Sequence, residues 1–255
     1  MASYLITGSS RGIGLALVAL LASKPVSEVS KVFAAARKQN SSLEKLVQAS
    51  GGRVEFIQLD VTDEQGSQQA SKTVEKALNG KGLDVLINNA GIMNYTPNGI
   101  ENMHVSKIRE TTDLDETFKV NVIGVHNVTT AFLPLLKKGN LKKVINISTT
   151  LGSIGMAPVF NFQPTPAYKV SKAALNMLTV QYAQAFAQDG LVFVSWVKTD
   201  LGTEHADLTI EQSVNGISEI LSRIIGADTG KFFTVNVPEV EKDGQKLYDG
   251  SCRPW

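Results

Sequence analysis

Two side chains four residues apart, Tyr168 and Lys172, have the chemistry to transfer a proton. They fall in a segment whose apolar pattern predicts a helix, in which residues four apart share one face. A free tyrosine has a pKa of about 10 and donates a proton poorly near neutral pH, but a neighbouring ammonium stabilises the phenolate and lowers that pKa. The pair therefore predicts a general acid, although Tyr-x-x-x-Lys on its own is more often a surface pair.

Short apolar segments alternate with longer helical patterns along the 255 residues. The predicted strands are Tyr4–Thr7, Lys31–Ala36, Val54–Leu59, Asp84–Asn88, Lys143–Ile147, Leu191–Val197 and Phe232–Val235. The predicted helices are Gly12–Ala22, Ser42–Gln48, Asp63–Leu78, Leu114–Leu136, Tyr168–Gln188 and Ile210–Ile225. Most of the strands are apolar at consecutive positions, as in strands covered on both faces. The pattern predicts an α/β fold, a single-domain Rossmann-like doubly wound parallel sheet with helices on both faces over residues 1–255.

Three segments fit these elements poorly, and the first is the polar stretch of residues 94–105. Residues 150–167 are rich in glycine and proline and come after the fifth strand. Loops at the carboxyl ends of parallel strands form the ligand crevice, so we expect a substrate loop here. Its apolar residues, which either line a pocket or cap the core, are Met156, Val159, Phe160 and Phe162. Residues 238–255 are predicted to be a C-terminal tail.

A glycine-rich turn comes after the first predicted strand and leads into a helix. It reads Thr7-Gly8-Ser9-Ser10-Arg11-Gly12-Ile13-Gly14. Glycines let the backbone approach a pyrophosphate closely, and the helix N-terminus offers unpaired N–H groups and a positive dipole end. The turn therefore favours a dinucleotide, although such a turn alone also fits an ordinary strand-to-helix connection.

The turn differs from the fingerprint G-x-G-x-x-G and resembles the T-G-x-x-x-G-x-G turn of the short-chain dehydrogenase/reductase family. Further motifs extend the resemblance over most of the chain: Asp60 in Leu59-Asp60-Val61, Asn88-Asn89-Ala90-Gly91, Asn121 in Lys119-Val120-Asn121-Val122, and Tyr168-Lys169-Val170-Ser171-Lys172. Within the family the chain resembles the C-factor-like and fungal polyketide ketoreductase branch. The cofactor-binding residues that the resemblance implies are Gly8, Ser10, Arg11, Gly12, Ile13, Gly14, Asp60, Val61, Asn88, Asn89, Ala90, Gly91, Tyr168 and Lys172.

The end of the second strand bears on which dinucleotide binds. Enzymes of this fold that choose NAD carry an acid there, which accepts from the ribose 2′-OH. Here Ala36 occupies that place and Arg37 is the next residue, with Arg11 inside the glycine turn. Two guanidinium groups suit a 2′-phosphate through charge-assisted, bidentate hydrogen bonds. We therefore expect NADP(H), and interpret Lys38 as a solvated loop residue.

The resemblance also implies a hydroxyl that orients the substrate carbonyl. Relatives commonly have two serines at the end of the fifth strand, the second of them catalytic, and in register that position is Thr149. A threonine hydroxyl can donate the same hydrogen bond, so Thr149 is favoured over Ser148. Asn121 completes the catalytic set, where it would kink its helix and hold a water leading to Lys172; otherwise it is an ordinary mid-helix polar residue. The separation between Thr149 and Tyr168 exceeds that usual in relatives.

The sixth strand departs from the family pattern. Relatives have Pro-Gly after it, and then a segment ending in threonine that wraps the nicotinamide carboxamide. Here the segment from Trp196 to Thr199 resembles the one that comes after Pro-Gly in relatives, but Pro-Gly itself is missing. Val197 and Thr199 remain the candidate cofactor contacts. Either the strand ends early and the loop after it is rebuilt, or the nicotinamide is held less well.

Composition excludes several other classes of function. A net charge of +1 gives no field for nucleic acid or an anionic membrane, and no apolar run is long enough to span one. The histidines His104, His126 and His205 have no ligand spacing, so no metal is expected. A single cysteine, Cys252, excludes an internal disulfide, and the N-terminus lacks a signal-peptide pattern, so a cytoplasmic location is expected.

The expected function is that of an NADPH-dependent carbonyl reductase acting on a small ketone or aldehyde, apolar or aromatic. Two alternatives stay open: an isomerase, dehydratase or cyclase that uses Tyr168 as an acid, and a non-catalytic NADP-binding regulatory protein. Relatives often form homodimers or homotetramers through the helices that here span Leu114–Leu136 and Tyr168–Gln188, so the resemblance implies such an assembly.

Overall fold

Seven parallel strands form one sheet, in the order β3-β2-β1-β4-β5-β6-β7, in the computed structural model of the chain. The strands are β1 (Ala2–Thr7), β2 (Val29–Ala36), β3 (Val54–Gln58), β4 (Val85–Asn88), β5 (Lys143–Ser148), β6 (Val192–Val197) and β7 (Phe232–Phe233). The structure describes residues 1–96, 98–104, 114–161, 164–197, 208–240 and 248–255, with only the backbone of residues 196 and 197. The strand order reverses between β1 and β4, which places a ligand crevice at their carboxyl ends.

Helices connect the strands and cover both faces of the sheet. They are α1 (Gly12–Ser23), α2 (Ser41–Ala49), α3 (Glu64–Leu78), α4 (Leu114–Phe118), α5 (Gly124–Lys138), α6 (Pro166–Ala185) and α7 (Ile210–Arg223). Short 3-10 turns lie at Gly99–Asn102, Thr150–Gly152, Ala157–Phe160, Ala187–Asp189 and Gly226–Asp228. No helix among the residues that the structure describes is both long and apolar enough to cross a bilayer.

Two apolar cores lie on opposite faces of the sheet. Because side chains alternate along a strand, Ile6 of β1 packs into one core and Leu5 into the other. The first core includes Leu17 of α1 and Ile217 of α7, and the second includes Phe132 of α5. The doubly wound fold expected from the sequence is therefore confirmed.

The predicted elements agree with the observed ones to within a few residues, with one informative difference. The helix predicted over Leu114–Leu136 is interrupted by a π-helical segment, Lys119–Ile123, between α4 and α5. Its middle residue, Asn121, is fully buried and bonds to the backbone of Ile92 with both its amide oxygen and its amide nitrogen, each at 2.9 Å. A π-helical turn of this kind is frequent at functional sites.

The C-terminal residues 248–255, expected as part of a tail, run back along the edge of the sheet. The backbone N–H of Arg253 donates to the carbonyl of Phe232 at 2.8 Å, and Thr234 donates to Ser251 at 3.0 Å. An antiparallel bridge joins Phe233 to Cys252. The strand predicted over Phe232–Val235 pairs in parallel with β6 at Phe232–Phe233, and it also pairs along its length with this returning segment. We call residues 248–255 the C-terminal arm.

A row of buried polar side chains crosses three central strands and bonds to two helices. Asn88, Asn146 and Ser195 are register partners on β4, β5 and β6. The Asn88 amide nitrogen donates to the Asn146 oxygen at 2.8 Å and to Thr129 of α5 at 3.1 Å. Asn146 donates in turn to Thr179 of α6 at 2.9 Å, and Thr179 pairs with Ser195 at 2.8 Å. The row fixes where α6 lies along the sheet.

Replacing Asn146 with alanine should destabilise the protein by about 1–3 kcal/mol, because it removes the acceptor of the buried Asn88 amide and the donor to Thr179. Urea unfolding followed by circular dichroism measures the change. Gln181→Ala is the matched control, since Gln181 makes its amide bonds on the exposed side of the same helix α6. The control should change the free energy of unfolding by less than about 0.5 kcal/mol; equal effects of the two variants would contradict a structural role for the row.

Candidate active site

The glycine turn between β1 and α1 is built for close backbone contact. Gly8 has φ +70°, a left-handed conformation that side chains disfavour. Gly14 has ordinary dihedral angles, but a Cβ there would lie 2.3 Å from the Gly8 carbonyl oxygen and 2.6 Å from the Asn89 amide nitrogen. The turn therefore packs directly against the segment after β4, and these two glycines have no room for a side chain.

Hydrogen bonds lock the turn to the Asn88–Gly91 motif. The Thr7 hydroxyl accepts from the backbone N–H groups of Asn89 and Ala90, both at 3.0 Å. The Asn89 amide nitrogen donates to the Thr7 carbonyl at 2.9 Å. Thr7 is the first residue of the quoted motif, but it was not among the predicted site residues. Its hydroxyl bonds to residues more than eighty positions away, a contact that is not visible in the local sequence.

The N-terminus of α1 has no side-chain cap. Asn40, Asp63 and Thr209 cap α2, α3 and α7 with their side chains, whereas Arg11 makes no side-chain cap on α1. The backbone N–H groups of the first helical turn, which include Gly12, Ile13 and Gly14, have no acceptor within a helix. The uncapped positive end fits the diphosphate of a dinucleotide.

The carboxyl end of β2 presents positive charge beside this turn. Arg11 and Arg37 are both exposed, and Ala36 is the last residue of β2. Asn40 links the two segments, since its amide nitrogen donates to the Ser10 carbonyl at 2.7 Å while its oxygen caps α2 at the N–H of Leu43. Sequence reasoning missed Asn40, which holds the β2–α2 connection against the glycine turn.

Asp60 lies just after β3, at the next position along the same edge. Its carboxylate accepts from the N–H and the hydroxyl of Thr62, at 2.9 and 2.8 Å. Partial burial alone would raise the pKa of Asp60, but these hydrogen bonds and the positive charges of Arg37 and Lys119 hold it below its usual value. The next residue, Val61, is held through its backbone carbonyl, which accepts from the Asn127 amide nitrogen at 3.2 Å.

Tyr168 and Lys172 face each other on the first turns of α6, as their spacing predicts. Both are buried, with 6% and 5% of their surfaces exposed. The ammonium of Lys172 lies over the Tyr168 ring, 5.7 Å from its centre, and donates to the Ile147 carbonyl of β5 at 2.7 Å. The two side chains of the predicted pair are therefore neighbours on α6 at the end of β5.

Asn121 joins this pair to the segment after β4. Its amide nitrogen donates to the Ser171 hydroxyl at 3.0 Å, and Ser171 donates to the Tyr168 carbonyl at 2.8 Å. A Cβ on Gly91 would lie 3.2 Å from the Asn121 oxygen and 3.8 Å from the Lys172 ammonium. Asn121, Gly91 and Lys172 therefore converge on one place, as the motifs led us to expect.

The two candidate hydroxyls at the end of β5 have different partners. Ser148 donates to the Asn176 amide oxygen at 2.6 Å, and the Asn176 amide nitrogen donates to the Gly152 carbonyl, which fixes the amide's orientation. The Thr149 hydroxyl instead accepts from the N–H of Leu151 at 3.2 Å. The proton of Ser148 is thus already used within the protein, whereas that of Thr149 is not needed for this bond.

Three predicted cofactor-binding residues differ from the others in what they contact or in whether the structure describes them. The Asn88 side chain is committed to the buried polar row, so a contact with a dinucleotide would come from its backbone. Val197 ends β6, where its backbone is the register partner of Ser148. Thr199 lies outside the described residues. Within the described ranges no group of three or more histidine, cysteine or acidic side chains is placed to hold a metal.

Comparison with known proteins agrees with this geometry. The family model described as "short chain dehydrogenase" matches residues 3–211. The short-chain dehydrogenase/reductase AacuF of Aspergillus aculeatus is 36% identical over 196 residues, which cover 76% of this chain and 72% of that protein. An uncharacterized oxidoreductase of Schizosaccharomyces pombe is 35% identical over 280 residues, covering 99% and 97%. The NADPH-bound carbonyl reductase from chicken fatty liver has a similar structure, with a TM-score of 0.84, 31% identity and coverage of 100% and 99%. These matches confirm the resemblance drawn from the motifs, including its fungal branch.

Substituting Gly14 with alanine should cost about 1–3 kcal/mol of stability, because the new methyl group would overlap the Gly8 carbonyl. Thermal unfolding without ligand measures the loss. Gly226→Ala serves as the control, since a Cβ there meets nothing within 4 Å. If both variants unfold at the same temperature, the close contact between Gly14 and Gly8 does not constrain the turn.

Proposed function

We propose, since the chain belongs to the short-chain dehydrogenase family of oxidoreductases, that it uses NADPH to reduce a ketone or aldehyde to the alcohol. The observation that carries the proposal is the buried pair, in which the Lys172 ammonium lies above the Tyr168 ring at the end of β5. A phenol beside a fixed ammonium is suited to protonate an oxygen that gains negative charge.

NADPH supplies the hydride when bound. The turn from Gly8 to Gly14 would hold its diphosphate, and Asp60, Asn89, Ala90 and Gly91 would complete the dinucleotide site. The residues of the chain then act on the substrate oxygen. Thr149 donates a hydrogen bond to the carbonyl oxygen, and the Tyr168 hydroxyl gives its proton to that oxygen as it becomes an alkoxide. Lys172 keeps the resulting phenolate stable.

The choice of NADPH over NADH rests on the end of β2. Ala36 is nearly buried there and offers no carboxylate to a ribose 2′-OH. Arg11 and Arg37 are exposed on the two segments that Asn40 ties together. Both guanidinium groups can therefore turn toward a 2′-phosphate, which Arg binds in a bidentate manner.

The substrate is expected to be apolar or aromatic, because of the loop before Tyr168. Val159 and Ile154 are exposed there, with 55% and 77% of their surfaces accessible, whereas Phe160 is buried. Exposed apolar groups on the loop expected to contact the substrate favour an apolar ligand. The direct test measures NADPH absorbance with a panel of aromatic ketones, aldehydes and quinones. Binding of NADPH without turnover of any member would overturn the reductase assignment.

Tyr168→Phe should lower kcat by about 10²- to 10⁴-fold, because it removes the proton donor, and should change NADPH affinity far less, because the ring and the other cofactor-binding residues remain. Steady-state kinetics and NADPH titration measure the two effects. Tyr182→Phe is the matched control on the same helix, since its hydroxyl bonds to Thr130 and His126 away from the site. Wild-type turnover in Tyr168→Phe would rule out Tyr168 as the acid.

Arg37→Ala should weaken NADPH binding by about 10- to 100-fold, the value of a lost hydrogen bond to a charged group. NADH binding should not change, because NADH lacks the 2′-phosphate. Lys38→Ala is the control and should leave both affinities near the wild-type values. An equal loss for NADH and NADPH in Arg37→Ala would show that Arg37 acts on the fold of the loop rather than on the phosphate.

A further inference from the structure

The C-terminal arm touches the substrate loop at its first turn. The hydroxyl of Ser153 donates to the Pro254 carbonyl at 2.7 Å, and the N–H of Gly155 donates to the Trp255 carbonyl at 3.0 Å. A Cβ on Gly155 would lie 3.1 Å from Pro254. Residues 254 and 255 therefore rest directly on the loop that leads from the catalytic strand to the catalytic helix.

The arm itself is firmly held. It pairs with β7 and the residues after it, and the Trp255 ring stacks on Phe232, with centres 5.1 Å apart and planes inclined by 9°. Arg223 of α7 donates to the Gly250 carbonyl of the arm at 2.7 Å. Phe232 is fully buried in one of the two cores, so the stacked Trp255 is positioned by the sheet rather than by the loop.

The contacts continue from the arm to the site. Ser153 is buried, and besides donating to Pro254 its hydroxyl accepts from the N–H of Met156 at 3.1 Å. On the other side, a Cβ on Gly152 would lie 2.6 Å from the Cβ of Lys172. The segment from Gly152 to Met156 is thus fixed between the arm and the helix that carries Lys172.

We infer that Pro254 and Trp255 are positioning residues that set the substrate pocket by holding residues 153–156. In sequence, Pro254 and Trp255 are the described residues farthest from the glycine turn, and none of the family motifs includes them. The inference rests on the proposed function, because residues 150–167 are taken to line the substrate side. According to this inference, the arm affects which carbonyl compounds the protein accepts as substrates. The arm takes no part in the chemical step or in dinucleotide binding.

The test compares Trp255→Ala with Trp255→Phe and Ser153→Ala. Loss of the stack or of the hydroxyl should free the loop and raise KM for a bulky aromatic ketone by about tenfold, roughly the effect of one or two hydrogen bonds. The value of kcat and the affinity for NADPH should stay near wild type. Trp255→Phe should restore KM, because it can still stack on Phe232. Ser23→Ala is the matched control, since it removes a 2.8 Å bond from a serine to a carbonyl at the end of α1.

Amide hydrogen exchange gives a readout that does not depend on activity. Peptides covering residues 151–161 should exchange faster in Trp255→Ala and Ser153→Ala, and at the wild-type rate in Ser23→Ala. Unchanged exchange in both loop variants would overturn the inference, as would faster exchange with an unaltered KM for every carbonyl tested. If the wild-type protein reduces no carbonyl, the proposed function fails, and exchange alone then decides whether the arm holds the loop.

Discussion

The hydrogen bond from the Lys172 ammonium to the Ile147 carbonyl is the contact on which the site depends. It joins the helix that carries Tyr168 to the carboxyl end of the central strand β5. Around it, Ser148 bonds to Asn176, and Asn146 bonds to Thr179, so three positions on β5 hold three positions on α6. All of these groups are buried, where a hydrogen bond is stronger and an unpaired partner more costly than in water. The helix consequently has one favourable position on the sheet.

A second constraint acts at the neighbouring strands, and it is steric. Gly8 and Gly14 meet Asn89 and Ala90 at distances that exclude any side chain, and Thr7 bonds to the backbone of the same segment. The two loops at the point where the strand order reverses are therefore a single packed unit. Asn121 extends this unit to α6 through Ile92 and Ser171. Because the glycine turn and the Tyr168–Lys172 pair share these contacts, the turn and the start of α6 are held in a fixed relation.

The sequence predicts most of this arrangement because its signals are local. Consecutive apolar residues identify the buried parallel strands, and the motifs around Gly8, Asn89, Asn121 and Tyr168 each lie within one short segment. The π-helical segment at Asn121 was expected only as a kink, since its form depends on the backbone of Ile92 in another loop. Asn40 and the C-terminal arm were missed for the same reason. Ser153 and Pro254 are 101 residues apart, and neither has a local pattern that indicates the contact.

The two sides of the site are built from different kinds of contact, and this bears on how the family varies. The side around the glycine turn consists of backbone groups and glycines, and a side chain added at Gly14 would collide with Gly8 and Asn89. The side around the loop after β5 is held by side-chain hydroxyls, an aromatic stack and the returning arm. Residues that touch only the loop can therefore diverge while the turn and the Tyr168–Lys172 pair stay the same. In a chain that lacks the usual Pro-Gly after β6, Gly8, Asn89 and Asn121 are still held by contacts with β1, the segment after β4 and α6.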